Sequence, residues 1–120
     1  MFNEEQIKQV WEKGSVVEGF DPNLVRKDPC GAWILRNGYG IASNRFGWVI
    51  DHIYPSSRGG DNNLLNLRPM QWENNASKGD EYPSYKASVQ AEGNDNVKKS
   101  LQYTVNDDLQ KKLKTLYNIK

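Results

Sequence analysis

The chain contains a single histidine, His52, and it directly follows a carboxylate, Asp51. Hydrolysis of a phosphodiester needs a base that takes a proton from water and a cation that neutralises the charge building up on the phosphate. The neutral imidazole of His52 could serve as that base near neutral pH. Asp51 and an asparagine amide are hard oxygen donors that favour magnesium or manganese, so these residue types indicate a one-metal phosphodiester site.

An Asp-His pair by itself is more often a surface pair or a buried histidine with its hydrogen bond, so the spacing of the downstream asparagines decides the interpretation. Asn66 lies 14 positions after His52, and Asn75 lies 9 positions after Asn66. Two short runs complete the pattern, Ser57-Arg58-Gly59-Gly60-Asp61 and Lys78-Gly79-Asp80. In this order the residues resemble the HNH endonucleases over roughly 48–80, as an H-N-N variant with asparagine at the last motif position.

The resemblance implies a role for each motif residue. Asp51 and Asn75 would hold the metal, and His52 would be the general base. Asn66 would hold His52 through its backbone, so His52 and Asn66 are the predicted catalytic residues. The implied cofactor is one divalent cation, magnesium with manganese as the alternative. The implied reaction is hydrolysis of DNA phosphodiesters that nicks one strand and leaves 5′-phosphate and 3′-hydroxyl ends.

The net charge of +1 gives no general signal for nucleic acid, so a phosphate-binding surface must come from local clusters of cations. Double-stranded DNA is the predicted partner, and the cations nearest the motif are the predicted phosphate contacts: Arg45, Arg58, Arg68 and Lys78. Lys111, Lys112 and Lys114 are interpreted as a solvated helix face, although they could extend a DNA footprint. Two alternatives stay open: a weakly active or inactive nucleic-acid-binding module with the same fold, and an RNA-directed or toxic nuclease.

Length and composition limit the fold. With 120 residues, 37% hydrophobic and 26% charged, the sequence predicts a single domain over 1–120, as a monomer or a homodimer. Cys30 is the only cysteine, which excludes a structural zinc held by cysteine pairs. No apolar run reaches the roughly 18 residues of a membrane span, and the N-terminus lacks a signal-peptide pattern, so we expect no membrane partner and a cytoplasmic location.

Local patterns predict the elements that must position these residues. The expected fold is α+β, with a ββα-metal (His-Me finger) core over 48–80 flanked by N- and C-terminal helices. Asn3 and Asn106 occupy N-cap positions of the two flanking helices, and Asn37-Gly38 between apolar runs predicts a hairpin turn. The predicted N-terminal region covers 1–47, with a helix over 4–13 and a hairpin within 32–42. A strand over 48–54 and a helix over 71–78 follow. The predicted C-terminal extension covers 84–120 and begins with loop or frayed helix over 84–100.

Overall fold

The structure is a computed structural model, and it describes residues 2–120. This part of the chain forms three α-helices, α1 (Glu4–Trp11), α2 (Trp72–Lys78) and α3 (Asp107–Tyr117). Six strands pair as three antiparallel two-stranded sheets: β1 (Val25–Lys27) with β2 (Trp33–Leu35), β3 (Trp48–His52) with β4 (Leu67–Gln71), and β5 (Ser84–Glu92) with β6 (Asp95–Thr104). The predicted α+β class is confirmed. No helix within residues 2–120 has the length and apolar character needed to cross a membrane.

The ββα core consists of β3, β4 and α2, as predicted. The β3–β4 register is regular from the pair Trp48 and Gln71 to the pair His52 and Leu67. Because Gln71 ends β4 and its side chain also accepts from the amides of Glu73 and Asn74, the strand passes directly into the helix. The predicted helix over 71–78 is therefore confirmed, and the strand predicted over 48–54 ends at His52.

Helices α1 and α3 cover the core from two sides. Asn3 and Gln6 form the capping box that starts α1, and the helix ends at Trp11, slightly before the predicted boundary. Its apolar face packs in one hydrophobic cluster with residues of β2, β3 and β4: Ile34, Trp48, Ile50 and Leu67. The Asn106 cap of α3 is also present, and Leu113 is fully buried in a second cluster that includes Ile53, Met70 and Tyr85. Both flanking helices are confirmed.

The hairpin predicted around Asn37-Gly38 is wrong. Residues 36–38 form a 3-10 turn, and β2 pairs with β1, which precedes it in the chain. The amide of Leu35 donates to the carbonyl of Phe46 at 3.1 Å, and the backbone of Gly38 is packed so closely that a Cβ there would lie 3.0 Å from the same carbonyl. Tertiary packing against Phe46 thus overrides the local Asn-Gly turn preference.

The prediction of loop or frayed helix over 84–100 is also wrong, because this segment contains β5 and most of β6. On β5 the side chains of Tyr85, Ala87 and Val89 are buried in alternation, which is the period of a strand. The strands are joined at Gly93, whose φ of 59° is favourable for glycine. The residues between them on β5 are mostly polar and lie on the solvent face of the hairpin, so the segment as a whole is polar in composition.

A buried polar network joins this hairpin and the β1–β2 region to the ββα core. The Asp28 carboxylate accepts from the amides of Cys30 and Ala32 at 2.9 Å, from the amide of Gln71 at 3.0 Å and from Nδ2 of Asn74 at 3.1 Å. The Asn74 Oδ1 atom accepts in turn from the amides of two β5 residues at 2.8 Å. Asp28 and Asn74 therefore fix the start of α2 relative to two sheets.

We predict that Asp28→Asn destabilises the fold strongly. The amide would keep one acceptor oxygen and direct an N–H group at donors that now bind the carboxylate, so the free energy of unfolding should fall by about 3 kcal/mol or more. Urea unfolding measures the change. Asp21→Asn is the control, because Asp21 is exposed and accepts a single amide bond, and its cost should stay below about 1 kcal/mol. Equal losses in the two variants would contradict the role given to Asp28.

Candidate functional site

A cavity of about 200 Å³ lies at the end of β3, and three of the four predicted catalytic and metal-binding residues line it: Asp51, His52 and Asn75. The first two come from the last positions of β3, and the third comes from the middle of α2. Strand alternation directs Asp51 and His52 to opposite faces of β3. Both still reach the same cavity, because it opens where the strand ends.

Asp51 is buried, with 2% of its surface exposed, and it is surrounded by donors. Its Oδ2 atom accepts from Nε of Arg68 at 3.0 Å, across the β3–β4 pair. Its Oδ1 atom lies 3.4 Å from Nζ of Lys78 and accepts from Nδ2 of Asn75 at 3.2 Å. One carboxylate with two buried cations gives this cluster a formal charge of +1.

Burial and charge act in opposite directions on the two cations. Desolvation lowers the pKa of Lys78, although Asp51 acts to raise it. Desolvation is also the largest single influence on Arg68, but the Asp51 carboxylate together with Tyr85 and Cys30 outweighs it, and the pKa of Arg68 is raised. The Arg68 guanidinium lies over the ring of Tyr85 at 5.1 Å, and its Nη2 atom has no hydrogen-bond partner within residues 2–120. Arg68 is therefore held as a permanent buried cation beside Asp51.

His52 is half-buried, and its Nε2 atom lies 2.8 Å from Oδ1 of Asn62. Because an amide oxygen only accepts, this contact places the proton on Nε2 and leaves Nδ1 as the free base. The His52 carbonyl accepts from Nζ of Lys78 at 3.1 Å, so Lys78 fixes the backbone of the base as well as the neighbouring carboxylate. Asn62 was not predicted from the sequence, since a lone asparagine in a polar loop carries no signal of its own.

Asn66 is fully buried and lies beside the site rather than on the cavity. Its Oδ1 atom accepts from the amide of Tyr54 at 2.7 Å, and its Nδ2 atom donates to the carbonyls of Tyr54 at 3.1 Å and Asp61 at 3.2 Å. These bonds reach the segment after His52, whereas the resemblance implied a hold on His52 itself. Through these bonds, Asn66 holds the loop that contains Asn62 against the end of β3.

The two glycines of the loop between β3 and β4 are required by its path. Gly59 has a φ of 111°, which side chains other than hydrogen disfavour. At Gly60 a Cβ atom would lie 1.9 Å from the carbonyl oxygen of Tyr54 and 2.9 Å from Nδ2 of Asn66. The loop can therefore close on Asn66 only with glycine at this position.

The four predicted phosphate contacts occupy different environments. Arg58 is exposed on the 3-10 turn Ser56–Arg58, next to the cavity wall. Arg45 is exposed and paired with Asp95 at 2.5 Å. Arg68 and Lys78 are buried against Asp51, so they are not part of the outer surface. Of the four, Arg58 alone combines an exposed side chain with a position beside the cavity.

The donor set at the cavity suits a hard divalent cation. The Asp51 carboxylate and the Asn75 amide lie within hydrogen-bond distance of each other, and an amide rotated to present Oδ1 would give two oxygen ligands at one point. Residues 2–120 contain no group of three or more His, Cys, Asp or Glu side chains arranged to hold a metal. A hard cation held by these two oxygens would take waters and substrate oxygens as its other ligands.

A family model described as HNH endonuclease matches residues 44–84. This segment, about a third of the chain, is similar to the HNH endonucleases. The match runs from the turn before β3 to the first residue of β5, so it contains the whole cavity and confirms the resemblance found in the sequence. The similarity indicates nuclease activity in general, in a family that acts on nucleic acids and generally uses a divalent metal. Neither a search of curated proteins nor a search of solved structures found a match.

We predict different defects for the two neighbouring asparagines of this HNH segment. Asn75→Ala should weaken manganese binding by at least about tenfold, because the Asn75 amide lies against Asp51 at the cavity. Asn74→Ala should leave that affinity nearly unchanged but lower the free energy of unfolding by about 2 kcal/mol or more, since it removes the acceptor of two buried amides. Calorimetric titration and urea unfolding of both variants separate the two roles. Loss of manganese binding in folded Asn74→Ala alone would show that the other asparagine is the ligand.

Proposed function

We propose that this protein is a metal-dependent HNH endonuclease that hydrolyses DNA phosphodiesters, nicking one strand and leaving 5′-phosphate and 3′-hydroxyl ends. The observation that carries the proposal is the convergence of Asp51, His52 and Asn75 on one cavity. A base and a pair of hard oxygen ligands within reach of a single phosphate are the minimum this reaction needs. Double-stranded DNA as substrate and a cytoplasmic location remain predictions from the sequence.

In this proposal each side chain has one task. Nδ1 of His52 takes the proton from the attacking water, while Asn62 holds the opposite ring nitrogen. Asp51 and Asn75 hold the divalent cation, preferably magnesium, which when bound stabilises negative charge on the phosphate and the leaving oxygen. The buried cations Arg68 and Lys78 give the surroundings of Asp51 a positive charge, which favours the approach of a phosphate.

The decisive experiment is incubation of supercoiled plasmid with the protein, with and without magnesium. The wild type should nick the plasmid only when magnesium is present. His52→Ala should reduce the rate by about a hundredfold or more, because the base is removed while little packing changes. Thermal melting and DNA binding in EDTA should stay near wild type. A folded His52→Ala protein that nicks at the wild-type rate would refute the assignment.

We further predict that Asn62 positions the base. Asn62→Ala should slow nicking by about tenfold, less than removal of His52, because the imidazole remains but its proton is no longer fixed on Nε2. Asn62→Asp retains an acceptor oxygen and should restore most of the rate. The pH–rate profile distinguishes positioning from a packing role: Asn62→Ala should alter the profile, whereas a defect of packing alone would lower the rate equally at every pH.

A further inference from the structure

A second cavity, which we call the α3 cleft, lies beside the catalytic cavity and has a volume of about 580 Å³, within the range of roughly 300–1,000 Å³ typical of ligand sites. It lies between the segment after β3, the segment before β5, and α3 with the residues that follow it. Its lining residues are Tyr54, Arg58, Tyr82, Pro83, Gln110, Lys111, Lys114, Ile119 and Lys120. None of the functions given above to the HNH segment uses this cleft.

The α3 cleft is strongly basic. Arg58, Lys111, Lys114 and Lys120 line it, and within the described chain no carboxylate side chain does so. Lys111 and Lys114 are three positions apart on α3, so they lie on the same face of the helix. Lys112 is turned away from that face and pairs with Asp108 at 3.2 Å. The positive charge of α3 is thus divided between a cleft side and an opposite side.

Aromatic rings of the HNH segment form one wall of the cleft. Tyr54 and Tyr82 line the cleft and pack edge to face with ring centroids 5.2 Å apart. Tyr117 of α3 stacks behind Tyr54 at 5.5 Å. Both lining rings are half-buried, so they are fixed by packing while part of each stays open to the cleft. Fixed aromatic rings beside a row of cations are the combination by which proteins hold single-stranded nucleic acid.

The cleft and the catalytic cavity are lined by neighbouring residues of the same two segments. The turn after His52 contributes Ser56 and Ser57 to the cavity and Arg58 to the cleft, and the segment after α2 contributes Asp80 to the cavity and Tyr82 to the cleft. A nucleic-acid strand with one phosphate at Asp51 and His52 would therefore pass over these two segments into the α3 cleft.

We propose that the α3 cleft binds an unpaired stretch of the nucleic-acid substrate next to the phosphate that is cut. This inference rests on the proposed function for its biological context, but the binding itself needs neither metal nor cleavage. The lysines and Arg58 contact phosphates, and a base stacks against the tyrosine wall. The stretch is unpaired, since a base inside a duplex has no free face for a side chain to stack on.

The test is the anisotropy of a fluorescein-labelled twelve-nucleotide oligothymidylate in EDTA, where cleavage cannot occur. The double variant Lys111→Ala, Lys114→Ala should bind at least about tenfold more weakly at low salt than wild type, and its salt slope should be shallower by about 1.4, for two lost contacts on a single strand. Lys112→Ala on the same helix is the matched control and should bind like wild type. A control that loses as much as the double variant would overturn the proposal.

Binding to a blunt duplex of the same length distinguishes a specific single-strand site from a general positively charged surface. The double variant should lose much less affinity for the duplex than for the single strand, and an equal loss on both would overturn the proposal. Tyr82→Leu removes the ring while leaving every cation in place, and it should weaken oligothymidylate binding several-fold without changing the salt slope. Unchanged binding by folded Tyr82→Leu would contradict base stacking in the cleft.

Plasmid nicking by the same proteins tests the endonuclease activity separately from single-strand binding in the α3 cleft. If wild type does not nick plasmid but the α3 cleft variants lose oligothymidylate binding as expected, the endonuclease proposal fails and the binding site stands. If wild type nicks and the double variant binds oligothymidylate normally, the nuclease stands and the cleft inference fails.

Discussion

The site depends on one buried carboxylate. Asp51 is held between Arg68 from the paired strand and Lys78 from the end of α2, so its position fixes β3, β4 and the helix relative to one another. Breaking such a cluster costs about 3–5 kcal/mol, because the remaining charges stay buried without a partner. The excess positive charge suits an active site for phosphate, and the same interaction therefore serves stability and the proposed chemistry.

Sequence patterns predicted the elements whose signals are local. The two flanking helices carry their own caps, and β3 and α2 are defined by short apolar and polar runs within the HNH segment. The two errors concern strand pairing, which depends on residues far apart in the chain. Asn37-Gly38 is locally a good hairpin turn, but Phe46 supplies the partner for Leu35. The β5–β6 hairpin was hidden because small and polar residues alternate with its buried side chains.

The residues that line the cavity were predictable from the sequence, but the contacts around them were less so. Motif spacing predicted that Asp51, His52 and Asn75 lie together. The choice of Asn75 over Asn74 agrees with the different directions of the two side chains on α2, toward Asp51 and toward β5 respectively. A sequence does not show whether a cation is exposed, so Arg68 and Lys78 were taken as phosphate contacts, although they lie beneath Asp51. The contact of Asn62 with His52 depends on the path of a loop and has no counterpart in a sequence pattern.

The network around Asp28 and Asn74 means that the matched family segment and the physical folding unit differ. Residues 44–84 contain the motif, but Asp28 lies before them and the β5 amides bound by Asn74 lie after them. A fragment excised at the family boundaries would leave Asn74 and the Gln71 amide without these partners, at the very start of α2. Transplanting the motif into another scaffold would therefore require a replacement for the Asp28 carboxylate and for one strand of the C-terminal hairpin.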